Sequence, residues 1–461
     1  MSELIPRRTI RPGLKGYSPE PTDPLEAKDI LNLEMDREGI WKPRAGLSTI
    51  ATFAANINHL STRPQVTDGY QFAMLEGGRL RVVSITGTSP AVKDTGWPTT
   101  YAVRHCFGTT SANANYWCAP KCDIKSAGAV PYRIAAAGGF SALAGSPPNC
   151  FWLESYGRYT IALDEFKIYW SDANDSDAWT ASSNISRMPN LDRLYGFVAM
   201  SEQQAIIISK RGTGIWTGNE ESVFQQGELF NIEVAATALT MAKCGERVLF
   251  IGPGPRVYSF HPSLERIDSP VNKDLRAIAD IDNVFTWFDV AKNWYCVADF
   301  DADQTLCYDI EKNIWACRWD KALVGIGQHD DDASPFRRRF FGYGTKFVEM
   351  EPDEEQDDGS GMTVAIETAP EDGGNPSVLK CVSGVFVDGT GSWTVTINGR
   401  SNPSAAFGTL ATMTVSAPGW GYPSYHQYSE MTIRCSAVPT TTTSHSFRQL
   451  QVDERILGVI Y

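Results

Sequence analysis

Histidine and cysteine, the residues that most often bind zinc, cluster at one place in the sequence: His105, Cys106, Cys118 and Cys122. Structural zinc sites usually combine two matched pairs of His or Cys at short spacing. Here a single C-x3-C pair has no matched partner pair, so the spacing favours core cysteines over a metal site. The ten cysteines of the chain lie in apolar or strand-like runs. We therefore expect reduced core thiols and no disulfide framework.

Aspartates at 299, 301 and 303 match the start of an EF-hand calcium loop. The later positions do not fit, because Gln304 replaces the turn glycine and Ile310 replaces the bidentate glutamate. The pattern predicts a hairpin turn rich in aspartate.

Two other charged segments are typical of surface turns. Residues 171–177, SDANDSD, indicate an Asx-rich turn that caps a strand, with a cation site as the weaker alternative. Aspartates 330–332 and arginines 337–339 indicate a solvated loop, with an intersubunit contact as the sharper alternative.

The sequence lacks the motifs that usually surround a catalytic nucleophile or a nucleotide-binding loop. There is no G-x-S-x-G elbow, and the six histidines form neither an H-E-x-x-H motif nor a pair at helical spacing. The GPGP at 252–255 precedes a strand and not the helix N-terminus that a phosphate would need. We expect a protein that is not an enzyme, without catalytic residues, cofactor or metal. Two carboxylates that pair in space as a glycosidase dyad remain an open alternative.

The net charge of −13 over 461 residues argues against a protein that holds nucleic acid by neutralising phosphates. An acidic wall that repels passing DNA is compatible with that charge. Arg7 and Arg8 have no apolar segment behind them, so no secretion signal is expected. The longest uncharged stretch, 401–429, is broken by Pro, Gly and polar residues and predicts no membrane helix.

The elements that must position these residues are predicted to be strands. Short alternating or β-branched runs are separated by Gly, Pro, Asn and Asp, and no stretch keeps a helical period. The clearest hairpins join 159–163 to 166–170 and 247–251 to 256–260, and three strands follow at 293–299, 305–310 and 314–319. The sequence is typical of an all-β protein.

Comparable strand starts recur at Phe72, Tyr116, Tyr159, Ala205, Val248, Trp294 and Arg339, in steps of 44, 43, 46, 43, 46 and 45 residues. This is the length of one four-stranded propeller blade. We expect a β-propeller of six or seven blades, the last completed by an N-terminal strand, with an irregular pair of β-sandwiches as the alternative. Large aromatic residues are expected to fill the spaces between blades: Trp170, Trp179, Trp216, Trp294 and Trp315.

Three parts are expected: an N-terminal arm with a first strand (1–50), the propeller (51–350), and a smaller β-sandwich-like C-terminal domain (351–461) that can pack back on the propeller. The segment 351–359 is acidic and predicts a solvated linker or loop. The C-terminal domain is expected to contain strands and one long loop, with a docked strand at 455–461. The strands are predicted at 362–368, 380–387, 393–398, 431–436 and 446–452, and the loop at 401–427.

Several stretches are similar, in chain order, to one family. They are DILN at 29–32 with DREG at 36–39 and KPRAGL at 42–47, RYTIALDEFKIYWSDANDSDAW at 158–179, AIIISKRGTGIWTG at 205–218, and the terminal strands with IET at 366–368 and KCVSGV at 380–385. The chain resembles the tail nozzle, or packaged-DNA stabilisation, proteins of short-tailed phages. In the first stretch the order Pro-Arg-Ala-Gly departs from the Arg-Pro-Gly of the family.

The resemblance implies a virion protein of the phage tail, assembled in the host cytoplasm. It would form a homo-oligomeric ring, hexameric in the family, below the portal-adaptor protein and in contact with tail fibre or spike proteins. The ring would retain packaged double-stranded DNA and conduct it at ejection without sequence-specific binding, and no membrane would be involved. Such a role needs self-complementary surfaces on a rigid scaffold.

Two other functions stay open at this point. A carbohydrate-binding or cleaving propeller of a host-recognition apparatus could stack sugars on the aromatic residues of the long loop, Trp420, Tyr422, Tyr425 and Tyr428. An intracellular protein-interaction propeller would stay monomeric.

Overall fold

The computed structural model describes residues 7–459 apart from a set of internal gaps. These gaps are 63–68, 78, 87–88, 95–105, 110–113, 119–131, 136–139, 143–144, 147, 151, 165, 176–177, 181–184, 188–192, 211, 219–223, 231–239, 262, 330–337, 352–354, 373–377, 402–403, 425 and 440–443.

The N-terminal region contributes five strands. They are β1 (Arg8–Ile10), β2 (Ala27–Leu31), β3 (Leu33–Met35), β4 (Trp41–Pro43) and β5 (Gly46–Thr52).

The middle of the chain forms groups of four antiparallel strands. The first three groups are β6 (Ile57–Thr62), β7 (Phe72–Glu76), β8 (Arg79–Thr86) and β9 (Ser89–Asp94); β10 (Cys106–Thr109), β11 (Ala114–Cys118), β12 (Tyr132–Ala135) and β13 (Phe140–Ala142); and β14 (Trp152–Tyr156), β15 (Tyr159–Leu163), β16 (Lys167–Trp170) and β17 (Ile185–Arg187). The next three are β18 (Leu194–Ala199), β19 (Gln204–Ser209), β20 (Gly212–Thr217) and β21 (Gln225–Phe230); β22 (Met241–Cys244), β23 (Arg247–Gly252), β24 (Arg256–Phe260) and β25 (Leu264–Arg266); and β26 (Val284–Asp289), β27 (Trp294–Asp299), β28 (Gln304–Asp309) and β29 (Ile314–Trp319).

A further group is completed from the N-terminal region. Strands β30 (Val324–His329), β31 (Arg338–Tyr343) and β32 (Lys346–Glu351) follow in sequence, and β5 pairs with β32 as the fourth strand. Helical segments are few in the described residues. They are two 3-10 turns, Ser269–Val271 and Ile281–Asn283, and helix α1 (Asn272–Arg276).

The remaining strands build the C-terminal sheet. They are β33 (Gln356–Asp357), β34 (Ser360–Gly361), β35 (Val364–Thr368), β36 (Val378–Arg400), β37 (Gly408–Gly421), β38 (Gln427–Tyr428), β39 (Glu430–Ala437) and β40 (Ser446–Val459).

The predicted repeat coincides with the strand groups. Each of the seven landmark residues of the period lies in the second strand of a group, from Phe72 in β7 to Arg339 in β31. The hairpins β15–β16 and β23–β24 and the meander β27–β28–β29 are also antiparallel pairs, as expected. The all-β prediction and its hairpins are therefore confirmed.

The groups are arranged around one centre. First strands of successive groups lie side by side, as seen for β10 with β14, β14 with β18, β22 with β26, and β26 with β30. The last group meets the first through a parallel bridge between Ile326 of β30 and Ser61 of β6. This radial packing of four-stranded sheets is a β-propeller, closed by β5 from the other end of the repeat. The count of six or seven blades stays a prediction.

Packing between groups is aromatic. Trp170 of one group lies 6.4 Å from Trp216 of the next, measured between ring centroids, and both rings are buried. The indole Nε1 of Trp315 donates to the carbonyl oxygen of Ile267, outside its own group, at 2.8 Å. Trp179 and Trp294 are buried as well. Seven described cysteines are buried free thiols: Cys150, Cys244, Cys296, Cys307, Cys317, Cys381 and Cys435.

Two predictions about the C-terminal domain are wrong. The strands expected at 380–387 and 393–398 are one strand, β36, which pairs with β40 through its first half and with β39 through its second. The long loop expected at 401–427 contains the 14-residue strand β37, paired along β36 from Gly399 and Gly408 to Val385 and Gly421. Its Gly, Pro and Ser content suggested a loop, but the segment 409–415, TLATMTV, alternates and pairs as an edge strand.

The N-terminal strands β1 to β4 are part of the C-terminal sheet. Strand β1 pairs with β40, β2 pairs with β35, and β4 contacts β40. Strand β2 also forms a parallel bridge from Leu31 to Arg318 of β29. One continuous sheet therefore joins a propeller group to the C-terminal domain.

A buried carboxylate ties this junction together. Asp29 of β2 accepts from the Nε of Arg318 in the propeller at 2.7 Å and from the Nη1 of Arg434 in the C-terminal sheet at 2.5 Å. The side chain of Asp29 is buried. Because a buried charge requires a partner, the two arginines and the aspartate hold each other in place.

The acidic segment after residue 350 is a hairpin with an exposed turn that is tied to the propeller, so it is a loop and not a free linker. Arg44, which is fully buried, donates through Nη2 to Asp357 at 2.7 Å, and Asp357 also accepts from the backbone of Leu47 at 3.1 Å. Asp358 accepts from Thr49 and, at 2.6 Å, from Lys346. These carboxylates are bound by the start of the propeller, and residues 352–354 lie outside the described part.

Candidate assembly edge and face cleft

Strand β37 is an open edge of the C-terminal sheet. Among the described strands it pairs with β36 and with no other. Met413 and Val415 pack inward, whereas Thr412, Thr414 and Ser416 are exposed. An edge strand presents unpaired backbone N–H and C=O groups to any strand that approaches it.

The sequence segment that contains this edge carries no charged residue. Residues 401–429 contain no Asp, Glu, Lys or Arg, although the whole chain has 95 such residues, the sum of 41 basic and 54 acidic ones. Charged side chains are the usual protection of exposed edges. This edge lacks that protection, which is typical of a strand that is covered in an assembly.

An aromatic pair extends the edge at its C-terminal end. The rings of Trp420 and Tyr422 stack with centroids 6.4 Å apart, and Tyr422 is 74% exposed. Phe386 packs beside Trp420 at 5.3 Å, and the guanidinium of Arg7 lies 4.4 Å from the centroid of the Trp420 ring. The open edge and this aromatic pair together are called the assembly edge below.

The sugar-stacking hypothesis for the long loop is only partly compatible with these positions. Trp420 and Tyr422 lie together at the surface, but Tyr428 is buried in the sheet, where burial raises the pKa of its hydroxyl. Tyr428 cannot stack on an external ligand. Tyr425 lies outside the described residues.

A second feature is a cleft on one face of the propeller, here called the face cleft. Its volume is about 670 Å³, and it opens between the group β26–β29 and the closing group that contains β5. The lining residues come from turns and strand starts: Asn56, Ile57, Asn58, Asp282, Asn283, Phe285, Phe300, Asp303, Ala322, Tyr343, Gly344, Thr345 and Lys346.

The aspartate-rich turn shapes one wall of the face cleft. Asp299 Oδ1 accepts from the backbone N–H groups of Asp301 and Ala302 at 3.1 and 3.3 Å, and Asp303 has a positive φ of 48°. This is the geometry of a short hairpin turn that ends in a left-handed residue. The interpretation of the motif as a turn is confirmed, and the turn presents Phe300 at its tip.

The same turn is repeated in its strand group. Asp289 and Asp309 accept from backbone N–H groups of their own turns, and Asn293 and Asn313 have φ values of 56°. The spacing of ten residues from Asp289 to Asp299 to Asp309 is the sequence signal for three equivalent turns. Only the middle one borders the face cleft.

Asp303 fixes the cleft wall by hydrogen bonds. Its Oδ2 accepts from the hydroxyl of Tyr343 at 2.9 Å, and its Oδ1 accepts from the backbone of Ala322 at 3.0 Å. Burial and the neighbouring Asp303 carboxylate raise the pKa of Tyr343, so this hydroxyl stays protonated and donates. Lys346, also in the lining, is paired with Asp358.

The other sequence motifs do not form sites in the described residues. No group of three His, Cys, Asp or Glu side chains there could hold a metal ion. Cys106 and Cys118 occupy paired positions on β10 and β11, whereas His105 and Cys122 lie outside the described part. In the turn after β16, Asp172 accepts from Thr180 at 3.0 Å, as expected of an Asx-rich turn. The turn at 252–255 joins β23 to β24.

Of the charged loop at 330–332 and 337–339, the structure describes Arg338 and Arg339, and the intersubunit contact stays a prediction. Arg338 makes a double hydrogen bond to Glu349 across the β31–β32 hairpin, at 2.6 and 2.7 Å. Arg339 donates to the buried Asp289 at 2.9 Å. Both arginines form ion pairs within the chain, and residues 330–337 lie outside the described part.

In the described residues, no helix has the length and apolarity to cross a membrane.

No protein-family model and no curated protein matches this sequence. Among solved structures, the fold is similar to the WD40 repeats of RRP9, with a TM-score of 0.42 and 10% identity over 68% of this chain and 99% of that chain. It is also similar to the N-terminal domain of Nup159, with a TM-score of 0.42 and 10% identity over 72% of this chain and 97% of that chain. At such identities a likeness concerns the fold and carries no function.

Proposed function

We propose that this chain is a structural component of a short phage tail, which assembles as a ring below the portal-adaptor protein. The ring, a hexamer, retains packaged DNA and conducts it at ejection. Its partners are other copies of the chain, the adaptor, tail fibre or spike proteins, and double-stranded DNA that passes without specific binding. The seven four-stranded groups of the described residues would be the blades of each propeller.

The observation that carries this proposal is the assembly edge. Copies with a net charge of −13 repel one another, so they approach best where they carry no charge. The uncharged residues 401–429 supply such a surface, and β37 adds a row of backbone groups that a neighbouring strand can pair with. Association through this edge would cover what the isolated chain leaves open.

The rigidity of the chain supports a scaffold role. The propeller and the C-terminal sheet share strands at β2 and β29 and are tied by Asp29 with Arg318 and Arg434. Arg44 adds a second tie to Asp357. A component that transmits force between an adaptor and a tail tip needs two modules that do not move independently.

The experiment is native mass spectrometry of the purified chain, alone and with its adaptor protein. We expect a closed ring, either alone or when the adaptor is added. The double substitution Thr412→Glu and Thr414→Glu places two like charges per copy on the solvent face of β37 and should shift the ring toward monomer. The matched variant Thr412→Gln with Thr414→Gln should still assemble.

The same variants separate assembly from folding. Exposed substitutions usually change the free energy of unfolding by about 0.5 kcal/mol or less, so both variants should unfold like the wild type. A chain that stays monomeric with and without the adaptor would refute the ring and favour a protein-interaction or carbohydrate-recognition propeller. Equal assembly of the glutamate and glutamine variants would move the interface away from β37.

A further inference from the structure

We propose that the face cleft is a binding site for a neutral carbohydrate. This site is separate from the assembly edge and does not depend on the proposed ring. Its volume of about 670 Å³ lies within the range of small-molecule sites, roughly 300 to 1,000 Å³.

The first argument is the position of Phe300. Its ring is 40% exposed at the tip of the turn between β27 and β28, and it borders the cleft. The turn is fixed by the two hydrogen bonds to Asp299, so the backbone that carries the ring is held in place before any ligand arrives. An exposed ring on a fixed turn offers an apolar face to the C–H groups of a sugar.

The second argument is the supply of neutral polar groups. The side chains of Asn56, Asn58 and Thr345 line the cleft, and within the described residues these three have no hydrogen-bond partner. Amide and hydroxyl groups both donate and accept hydrogen bonds, as sugar hydroxyls do. The cleft therefore combines one apolar ring with several uncommitted polar groups.

The third argument is charge, which excludes other ligand classes. Asp282 and Asp303 line the cleft, while its lysine, Lys346, is already paired with Asp358. A phosphate, sulfate or carboxylate ligand would meet this negative potential without a free cation. A cationic ligand is also disfavoured, because of the two lining carboxylates Asp303 already accepts hydrogen bonds from within the chain through both oxygens. A neutral polyhydroxyl ligand satisfies both conditions.

The test begins with a glycan array that carries neutral hexose and deoxyhexose oligosaccharides together with sulfated and sialylated ones. The strongest neutral oligosaccharide is then titrated by isothermal calorimetry against the full chain. The variant Phe300→Ala should bind at least tenfold more weakly, a change of about 1.4 kcal/mol. The variant Asn58→Ala should also weaken binding, because it removes polar contacts.

The matched control is Phe166→Ala. Phe166 is 47% exposed in the corresponding turn of another group, between β15 and β16, and does not line the cleft. It should leave affinity unchanged. Absence of binding to every neutral oligosaccharide, stronger binding of the anionic ones, or equal losses from Phe300→Ala and Phe166→Ala would overturn the proposal. The Phe300→Ala variant should still form the proposed oligomeric ring in native mass spectrometry. The carbohydrate test is therefore independent of the assembly.

Discussion

The propeller and the C-terminal sheet are both antiparallel, but they are held together in different ways. The group β26–β29 consists of six-residue strands joined by short aspartate-capped turns, so its contacts are local in sequence. The C-terminal sheet combines the two ends of the chain, since β1 pairs with β40 and β2 with β35. Local hairpins close their loops at low entropic cost, whereas pairing the chain ends requires much longer loops.

The energetic ties differ as well. The propeller ring is closed by backbone pairing, through the bridge from Ile326 to Ser61 and the strand pair β5–β32. The junction to the C-terminal sheet adds the buried charges of Asp29 with Arg318 and Arg434 to the backbone bridge from Leu31 to Arg318. Closure of the propeller therefore depends on close backbone approach, whereas the junction also depends on charge compensation.

The largest expected effect is at the junction. The substitution Asp29→Ala leaves Arg318 and Arg434 without the carboxylate that they share. Removing one partner from a buried ion pair typically costs about 3 to 5 kcal/mol in the free energy of unfolding. Urea unfolding followed by fluorescence would measure it.

The control for that prediction is Asp94→Asn. Asp94 lies 4.0 Å from Arg79 with both side chains exposed. Exposed pairs of this kind contribute about 0 to 1 kcal/mol, so the control should change stability little. Similar losses in the two variants would show that Asp29 has no special role at the junction.

The next largest effect is expected where the propeller closes, between β30 and β6. Gly325 has a φ of 61°, and a Cβ there would lie 2.2 Å from the backbone oxygen of Leu60 on β6. The substitution Gly325→Ala should therefore separate β30 from β6 and cost about 2 to 4 kcal/mol, from a strained backbone and an overpacked contact. Thermal unfolding would record the loss.

Gly344→Ala separates the two causes. Gly344 also has a positive φ, 53°, but a Cβ there meets nothing within 4 Å. Only the backbone strain of about 1 kcal/mol remains. If both alanine variants lost the same stability, closure of the propeller would not depend on the close approach of Gly325 to Leu60.

The smallest effect is a pH dependence of the contact between the N-terminal arm and the propeller. Tyr17 donates to the carboxylate of Asp274 in helix α1, and burial raises the pKa of Asp274 above its usual 3.8. Above pH 3.8 the folded chain holds a proton that the unfolded chain has released, so this contribution to stability is lost as pH rises through the folded pKa. Asp274→Asn should therefore lose less stability than the wild type as pH rises above 3.8.

The Asp23 carboxyl contributes a pH dependence of stability with the opposite sign. The hydrogen bond from Lys15 lowers the pKa of this exposed carboxyl below 3.8. Its contribution is present above the unfolded pKa and is lost as pH falls through the folded pKa. Asp23→Asn should leave the slope above pH 4 as in the wild type. A parallel shift of Asp23→Asn and Asp274→Asn would contradict the assignment to Asp274.

Some residues of the candidate sites could be predicted from local sequence patterns, and others could not. The aspartate-rich turn that presents Phe300 was visible in the spacing at 299–303, because turn residues act on their own backbone. Asn56, Asn58 and Thr345 had no such signal, since their role comes from the meeting of distant turns. The absence of charge in 401–429 can be seen in the sequence, but its Gly, Pro and Ser content predicts a loop, whereas residues 408–421 form the edge strand β37.

Local sequence patterns are enough to predict features that depend on near neighbours: the all-β class, the hairpins, and the repeat whose landmarks lie in the second strands. Alternation and turn residues encode these features because both act over a few residues. Which distant groups meet is seen first in the folded chain, because the long-range packing sets it. It placed Asp29 between Arg318 and Arg434, joined two expected strands into β36, and buried Asp357 against Arg44. Such contacts are chosen by the complementary burial of charge and surface across the whole chain, which no local pattern contains.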